Sequence, residues 1–276
     1  MKLDFVKMHG LGNDFMVVDC ITQAFEFNRD MVQRLAHRNK GIGFDQLLVV
    51  EPPINPETDF HFRIFNSDGT EAEQCGNGMR CLAKFVRDSG LTWKNRITAT
   101  TISGKVRLSL EKSGLVSVYM GAPRFEPEQI PLNRAEREDK YMLTAGSEQF
   151  ELMSLSMGNP HALLFVDDVG QAEVNRIGQI IGQHDDFPEQ VNVGFVQIID
   201  DGHISIRVYE RGTGETLACG SGACAAMVAA HKSGKCTNNI RVDLPGGHLF
   251  IRWPGGNKSV QMTGPATVVY KGQIRV

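Results

Sequence analysis

The chain has 276 residues, room for one large domain or two of medium size, and its 41% hydrophobic and 22% charged content belongs to a globular protein rather than a disordered or fibrous one. With 29 Lys and Arg against 32 Asp and Glu the net charge is −3, which offers no basic footprint for a phosphate backbone and argues against a nucleic-acid partner. No apolar run approaches the roughly 20 residues of a membrane span, and Met1-Lys2-Leu3-Asp4 leads into a mixed segment, so no membrane partner and a cytoplasmic location are expected.

Taken along the chain, the predicted elements occur twice. Gly12-Asn13-Asp14 runs into a hydrophobic strand, and Asn28 is placed to cap a helix through about Ala36, with Met31, Val32 and Leu35 on one stripe. Gln46 stands just ahead of a β-branched run. Cys75-Gly76-Asn77-Gly78 then opens an apolar helix, Met79 to Val86, that stops at Gly90. Lys105 to Leu110 and Leu115 to Tyr119 alternate as strands do. After the polar stretch Pro127 to Lys140, the best candidate for a linker, the series starts again. Gly158-Asn159-Pro160-His161 enters a hydrophobic strand, Asp168 precedes a helix carrying Val174, Ile177 and Ile181, and Asn192 stands ahead of another β-branched run. His203 to Tyr209 alternates, Cys219-Gly220-Ser221-Gly222 opens a helix from Ala223 to Ala230 that stops at Gly234, and Ser259 to Met262 reads as a strand. Asn13 and Asn159 are 146 residues apart, as are Gln46 and Asn192, while Cys75 and Cys219 are 144 apart. Three matches near one spacing define an internal repeat. The second Cys-Gly helix is apolar almost all round and so must be buried on every side, which makes each half an α/β unit with strands wrapped about a central helix.

The six cysteines are Cys20, Cys75, Cys81, Cys219, Cys224 and Cys236, with no Cys-x-x-Cys pair, so free thiols and no structural zinc are expected. Cys20, Cys81, Cys224 and Cys236 read as small buried hydrophobes. Cys75 and Cys219 differ because each sits at a helix mouth, where the first N–H groups lack intrahelical partners and the dipole favours negative charge. There a thiol is expected to fall from its usual value of about 8.5 toward neutrality. A carboxylate can also be held by the amides of Gly76 and Asn77, or of Gly220 and Ser221. Two such thiols, one from each half and facing a shared cleft, meet the requirement for inverting a carbon centre: one removes a proton from one face while the other delivers a proton to the opposite face.

Other motifs say less. Gly10-Leu11-Gly12 and Gly41-Ile42-Gly43 lack the third glycine of a dinucleotide fingerprint and read as turns. The eight histidines form no His-Glu-x-x-His pattern, so no metal is inferred, and His37 and His231 read as helix-surface residues. His161, three residues after Gly158, fits a structural role as well as a functional one, and Asp14 holds a nearby place in the first half. Asn13 with Asn159, Gln46 with Asn192, and Asn66 with Glu210 occupy repeat-equivalent places. Singly each would be a turn residue or cap; paired, they suggest the lining of the cleft. Arg211 beside Glu210 reads either as a surface ion pair or as a two-pronged grip on a carboxylate.

These strings resemble the diaminopimelate epimerase family. The resemblance is carried by Met8-His9-Gly10-Leu11-Gly12-Asn13-Asp14-Phe15, Gly43-Phe44-Asp45-Gln46-Leu47, Phe65-Asn66-Ser67-Asp68-Gly69, Gln74-Cys75-Gly76-Asn77-Gly78-Met79-Arg80-Cys81, Met157-Gly158-Asn159-Pro160-His161, Tyr209-Glu210-Arg211-Gly212 and Ala218-Cys219-Gly220-Ser221-Gly222-Ala223-Cys224, and it spans essentially the whole chain. It implies two pseudo-symmetric domains, residues 1–120 with a returning strand at about 265–276 and residues 121–264, each a mixed sheet curled around a central helix. It further implies cofactor-independent interconversion of LL- and meso-2,6-diaminopimelate on the bacterial route to lysine and cell-wall precursor. Cys219 would be base and Cys75 acid in the LL-to-meso direction. The amides of Gly76, Asn77, Gly220 and Ser221 would receive the reacting carboxylate, with Glu210 near the reacting ammonium and His161 in support. Asn66, Asn159, Asn192 and Arg211 would hold the distal end, with Asn13 and Gln46 completing the pocket. A homodimer with Tyr270 near its interface is implied as well. The related proline and hydroxyproline racemases, and a two-domain amino-acid binding protein whose cysteines merely pack, are the alternatives. The first explains less well a polar set suited to a long, doubly charged substrate, and the second would exchange no α-hydrogen.

Overall fold

The computed structural model describes residues 2–72 and 75–276. Gln74, first residue of the Cys75 motif, lies outside them. In chain order the elements are β1 (Lys2–Gly10), β2 (Asn13–Asp19), α1 (Arg29–Ala36), β3 (Gln46–Glu51), β4 (Phe60–Asn66), α2 (Gly76–Asp88), β5 (Arg96–Thr101), β6 (Gly104–Leu110) and β7 (Val116–Tyr119). There follow β8 (Tyr141–Ala145), β9 (Glu148–Ser156), β10 (Pro160–Phe165), α3 (Val174–Gly182), β11 (Asn192–Asp200), β12 (His203–Glu210), β13 (Gly214–Thr216), α4 (Gly220–Lys232), β14 (Asn239–Leu244) and β15 (Gly247–Arg252). The last strands are β16 (Gln261–Gly264) and β17 (Thr267–Arg275). The chain divides into two compact units, Met1–Tyr119 with Thr263–Val276, and Met120–Met262.

In the first unit β1 lies between β17 and β2, antiparallel to both, β2 runs parallel to β3, β3 antiparallel to β4, and β4 parallel to β5. The second unit repeats the series: β9 and β10 antiparallel, β10 and β11 parallel, β11 and β12 antiparallel, β12 and β14 parallel. A parallel pair cannot be closed by a hairpin, so each needs a crossover. The chain supplies α1 and α2 for the first unit's two parallel pairs, and α3 and α4 for the second's. Even the registers repeat. Phe15 stands opposite Gln46 in the first unit, and His161 opposite Asn192 in the second.

The helices follow their local sequence. The Asn28 carboxamide accepts from Met31 N–H at 2.9 Å and starts α1, whose Val32 and Leu35 are buried. Helix α2 packs against β1, β2, β3, β6 and β7, and α4 against β9 to β12, β14 and β15. From Gly222 to Ala230 every residue of α4 is buried; alanine is the best helix former and its small side chain lets strands approach from all sides. Both helices stop the same way. Gly90 (φ 72°) and Gly234 (φ 69°) take the left-handed conformation that glycine adopts without steric cost, and Leu91 and Lys235 donate back to Val86 and Ala230 at 3.0 Å.

One expectation is met with an addition, and two change. Asp168 precedes α3, as expected, with a 3-10 turn between them: its carboxylate accepts from Gly170 N–H at 2.8 Å and caps Val169–Gln171, and extended Ala172 (φ −65°, ψ 131°) separates that turn from the helix. The stretch Pro127 to Lys140 is no free linker, since Ile130 and Leu132 are buried in the second unit's core with Phe187 and Phe195. The strand expected at Ser259 to Met262 lies instead over Gln261–Gly264. All six cysteines are free thiols.

Candidate functional site

In the first unit the site is assembled by a turn and a helix mouth. The β1–β2 hairpin turns through Leu11 (φ 57°) and Gly12 (φ 90°), the positive φ at both central residues that a type I′ turn demands, and this delivers Asn13 at the head of β2. Cys75 is the N-cap of α2, and its sulfur accepts from Gly78 N–H at 3.3 Å. A Cβ at Gly78 would stand 3.0 Å from Leu48 Cδ2, so a larger residue would crowd that side chain. The Cys75 thiol donates to Asn13 Oδ1 at 3.7 Å, and Asn77 Nδ2 donates to the same oxygen at 3.5 Å. Nearby, Gln46 and Asn66 face each other across β3 and β4, with Gln46 Nε2 donating to Asn66 Oδ1 at 2.9 Å. Gln46 Oε1 is buried with no hydrogen-bond partner among the described residues, an acceptor suited to a donor from outside the chain.

Behind Asn13 lies a charge cluster that sequence reasoning missed. Buried Lys7 donates to the Asp14 carboxylate and the Gly43 carbonyl. Arg38 donates to both Asp14 oxygens at 3.1 and 2.9 Å and to Asp45 Oδ1 at 2.7 Å. Burial alone would raise the Asp14 carboxyl, but Arg38 and Lys7 outweigh it and hold it at about 2. Fully buried Arg80 donates to Pro265 O at 3.0 Å and to Asn77 Oδ1 at 2.9 Å.

The second unit places Cys219 as the N-cap of α4, 4% exposed, with its sulfur 3.7 Å from the Ser221 hydroxyl. Here too a side chain would be crowded: a Cβ at Gly222 would stand 3.1 Å from Val208 Cγ2 and 3.2 Å from Cys219 Sγ. The expected lowering of this thiol is not found. Burial pushes it well above the usual range, the Glu210 carboxylate pushes it further, and the opposing pull of Gly222 N–H and the Ser221 hydroxyl is weaker. A helix mouth sets a favourable potential, but a dry pocket beside a carboxylate overrides it.

His161 is fully buried, and burial, then the Arg211 charge, hold its imidazole down to about 3, so it is neutral. Its Nε2 lies 3.0 Å from Asn159 Oδ1; because that oxygen only accepts, Nε2 carries the proton and Nδ1 presents a lone pair. Nδ1 has no partner among the described residues. Asn159 Nδ2 donates onward to Ser221 Oγ at 3.3 Å, so an amide chain joins His161 to the mouth of α4. Asn192 donates to Pro160 O at 3.1 Å and accepts from Arg211 N–H at 2.9 Å. Glu210 accepts from the Thr216 hydroxyl, while exposed Arg211 donates to Glu189 O at 2.9 Å and lines a cavity of about 290 Å³ with Tyr209 and Gln190.

The first unit thus gathers Asn13, Cys75, Gly76 and Asn77 in one group, with Gln46 and Asn66 as a second pair. The second unit gathers Asn159, His161, Cys219, Gly220 and Ser221, sets Glu210 against Cys219, and ties Asn192 to Arg211. Tyr270 joins neither group. It lies on β17 opposite Lys7, 44% exposed, with its ring edge-on to Phe5 at 5.9 Å. Arg80, Lys7, Arg38, Asp45 and Thr216 were not anticipated as site residues. Arg80 carried a readable signal, since it stands one helical turn after Asn77. Among the described residues no cluster of three or more His, Cys, Asp or Glu side chains could hold a metal ion.

Comparison with known proteins adds a family and a fold. The family model described as Diaminopimelate epimerase matches residues 5–126 and 153–269. Among solved structures, a PhzF-family phenazine biosynthesis protein of Bacillus anthracis superposes with a TM-score of 0.71 at 16% identity over 100% of both chains. A hydroxyproline epimerase from Agrobacterium vitis with bound trans-4-hydroxy-L-proline gives 0.70 at 14% identity, over 99% of this chain and 92% of that one. A probable proline racemase from Agrobacterium radiobacter gives 0.69 at 16% identity, over 99% and 93%. At such identities the likeness establishes the fold.

Proposed function

The chain belongs to the diaminopimelate epimerase family and is an isomerase of the epimerase type, and from that premise we propose that it interconverts LL- and meso-2,6-diaminopimelate with two thiols and no cofactor. The observation that carries this reading is the pair Cys75 and Cys219, each the N-cap of its unit's enclosed helix. An amino acid's α-hydrogen is barely acidic, because the electron pair left on carbon sits beside a carboxylate and no cofactor withdraws it. The amides of Gly76, Asn77, Gly220 and Ser221 supply preorganised positive potential at that carboxylate as charge grows. In the LL-to-meso direction Cys219, as thiolate, takes the α-proton, the electron pair stays on carbon, and the Cys75 thiol gives its own proton to the opposite face. The two sulfurs exchange roles in reverse.

The raised Cys219 thiol then has a use. Without substrate, burial first and the Glu210 charge second keep the proton on sulfur. An α-ammonium seated against Glu210 cancels the second of these, and the Cys219 proton passes to water as the substrate enters, which leaves the sulfur as the base. Neutral His161 offers Nδ1, and Gln46 offers Oε1, as acceptors for substrate N–H groups. Asn66, Asn159, Asn192 and Arg211 hold the distal amino-acid end, and Asn13 completes the pocket. The enzyme works in the cytoplasm as a homodimer, with Val269 and Tyr270 of β17, 55% and 44% exposed, facing the second copy. The reaction belongs to lysine and cell-wall precursor synthesis. Incubating LL-diaminopimelate with purified protein in D₂O should yield meso isomer with one deuterium at the inverted carbon. Absence of both inversion and α-deuterium sinks the reading, and turnover of proline or hydroxyproline instead moves the chain to a racemase reading.

A further inference from the structure

The first unit contains a row of groups whose direction is set from both ends. Arg80 can only donate, and its Nη2 takes Asn77 Oδ1 at 2.9 Å, so the Asn77 amino group must face away, toward Asn13 Oδ1 at 3.5 Å. At the other end the Asp45 carboxylate can only accept. Its Oδ2 takes Asn13 Nδ2 at 2.9 Å and Asp14 N–H at 3.1 Å. The two ends agree on how both amides are turned, and neither end can invert. What remains toward the Cys75 sulfur, 3.7 Å away, is Asn13 Oδ1.

We propose that Asp45 and Arg80 are positioning residues that lock the Asn13 carboxamide with its oxygen toward Cys75, and thereby hold Cys75 as the protonated thiol between turnovers. This rests on the reading of Cys75 as the proton donor in the LL-to-meso direction. An S–H facing a carbonyl oxygen makes a hydrogen bond, whereas a thiolate there would face a lone pair; turned over, the same amide would offer N–H and favour the thiolate. Among the described residues, the charged groups tied to this row are Lys7, Asp14, Arg38, Asp45 and Arg80. Lys7 and Arg38 pair with Asp14 and Asp45, and Arg80 donates to Asn77 and the Pro265 carbonyl, so the group of this row that meets the sulfur directly is the Asn13 dipole. Gly78 N–H, 3.3 Å from the sulfur, is ready to support the thiolate once the proton has left. The second unit has no such arrangement at Asn159, whose oxygen faces His161 and whose amino group faces Ser221.

The test is the pH dependence of iodoacetamide alkylation at Cys75, followed peptide by peptide, with Cys219 as internal control. Asp45→Ala frees the Asn13 amide and should lower the Cys75 midpoint by about one pH unit, a tenfold rise in thiolate below it. Asp45→Asn keeps an acceptor for Asn13 and should titrate like the unaltered protein. Asn13→Ala should lower the midpoint as Asp45→Ala does, and adding Asp45→Ala to it should move nothing further. The proposal is overturned if Asp45→Ala leaves Cys75 unchanged, if Asp45→Asn shifts it as far as alanine does, or if the shift persists without Asn13. The last two outcomes assign the effect to the carboxylate charge acting directly. If Asp45→Ala fails to fold, Asn13→Ala decides alone, an unchanged midpoint refuting the proposal. Alkylation requires no turnover, so protein inactive on diaminopimelate would defeat the substrate reading without touching this one.

Discussion

Cys75 and Cys219 stand at helix mouths built alike, each capping a helix and each followed by a glycine pressed against a strand side chain, Leu48 in one unit and Val208 in the other. Their surroundings part at the side chains. Cys75 is half-buried and faces a carboxamide oxygen, while Cys219 is almost sealed and faces a carboxylate. A repeated backbone places two equivalent sulfurs, and the residues on neighbouring strands decide what each does with a proton. An inverting site needs that difference, since one sulfur must arrive carrying a proton and the other must be able to lose one.

The comparison breaks first at the sulfurs. Cys75→Ala and Cys219→Ala should each cut epimerisation by at least about a thousandfold with the fold intact, because each removes one of two obligatory proton carriers. Chiral analysis of the isomers measures this, and turnover persisting in one variant would show that a single thiol suffices. Glu210→Gln sharpens the contrast. Keeping an acceptor for Thr216 but losing the charge, it should lower the alkylation midpoint of Cys219 and leave that of Cys75 in place, with turnover falling roughly tenfold to a hundredfold as ammonium binding weakens. A Cys219 midpoint that stays put would leave burial as the whole origin of its high proton affinity.

The last effect is on stability rather than on turnover. His161 and Phe15 are register equivalents, opposite Asn192 and Gln46, yet only His161 titrates. Its imidazole is held at about 3 in the folded chain, against an ordinary histidine value of 6.5. The unfolded chain therefore binds the extra proton first, so stability is full above pH 6.5 and declines as pH falls toward 3, by roughly 5 kcal/mol at full extent. Urea unfolding across that range should show His161→Phe with a flatter profile than the unaltered protein. Parallel profiles would mean that other groups govern acid sensitivity.

Much of this was legible because the signals are local. The spacing between Asn13 and Asn159 matches the strand registers, and Gly90 and Gly234 mark helix ends by a backbone requirement that needs no tertiary knowledge. Asp168 precedes a helix as expected, but the 3-10 turn between them left no mark in the sequence, because a capping side chain identifies a turn without saying whether it continues. Ile130 and Leu132 anchor a stretch whose composition is otherwise polar, so composition hid its docking. The Cys219 thiol went the other way from expectation because burial and the approach of Glu210 are products of packing. The Lys7, Asp14, Arg38 and Asp45 cluster left a trace that went unused: a lysine inside a mostly buried strand, and an acid adjoining each of the amides Asn13 and Gln46.

The pairing of β1 with β17 has a consequence for how the protein is made. Ribosomes release chain from the N-terminus at about 5–20 residues per second, so β1 is exposed roughly 10–50 s before its partner emerges. Throughout that interval one edge of β1 carries unpaired N–H and C=O groups, a template for any other extended chain. The unit Met120–Met262 needs nothing synthesised later and is complete while the first is still open. The order in which the units begin and the order in which their chain is complete are therefore reversed: the inserted unit has all its strands while the unit begun earliest still lacks β17.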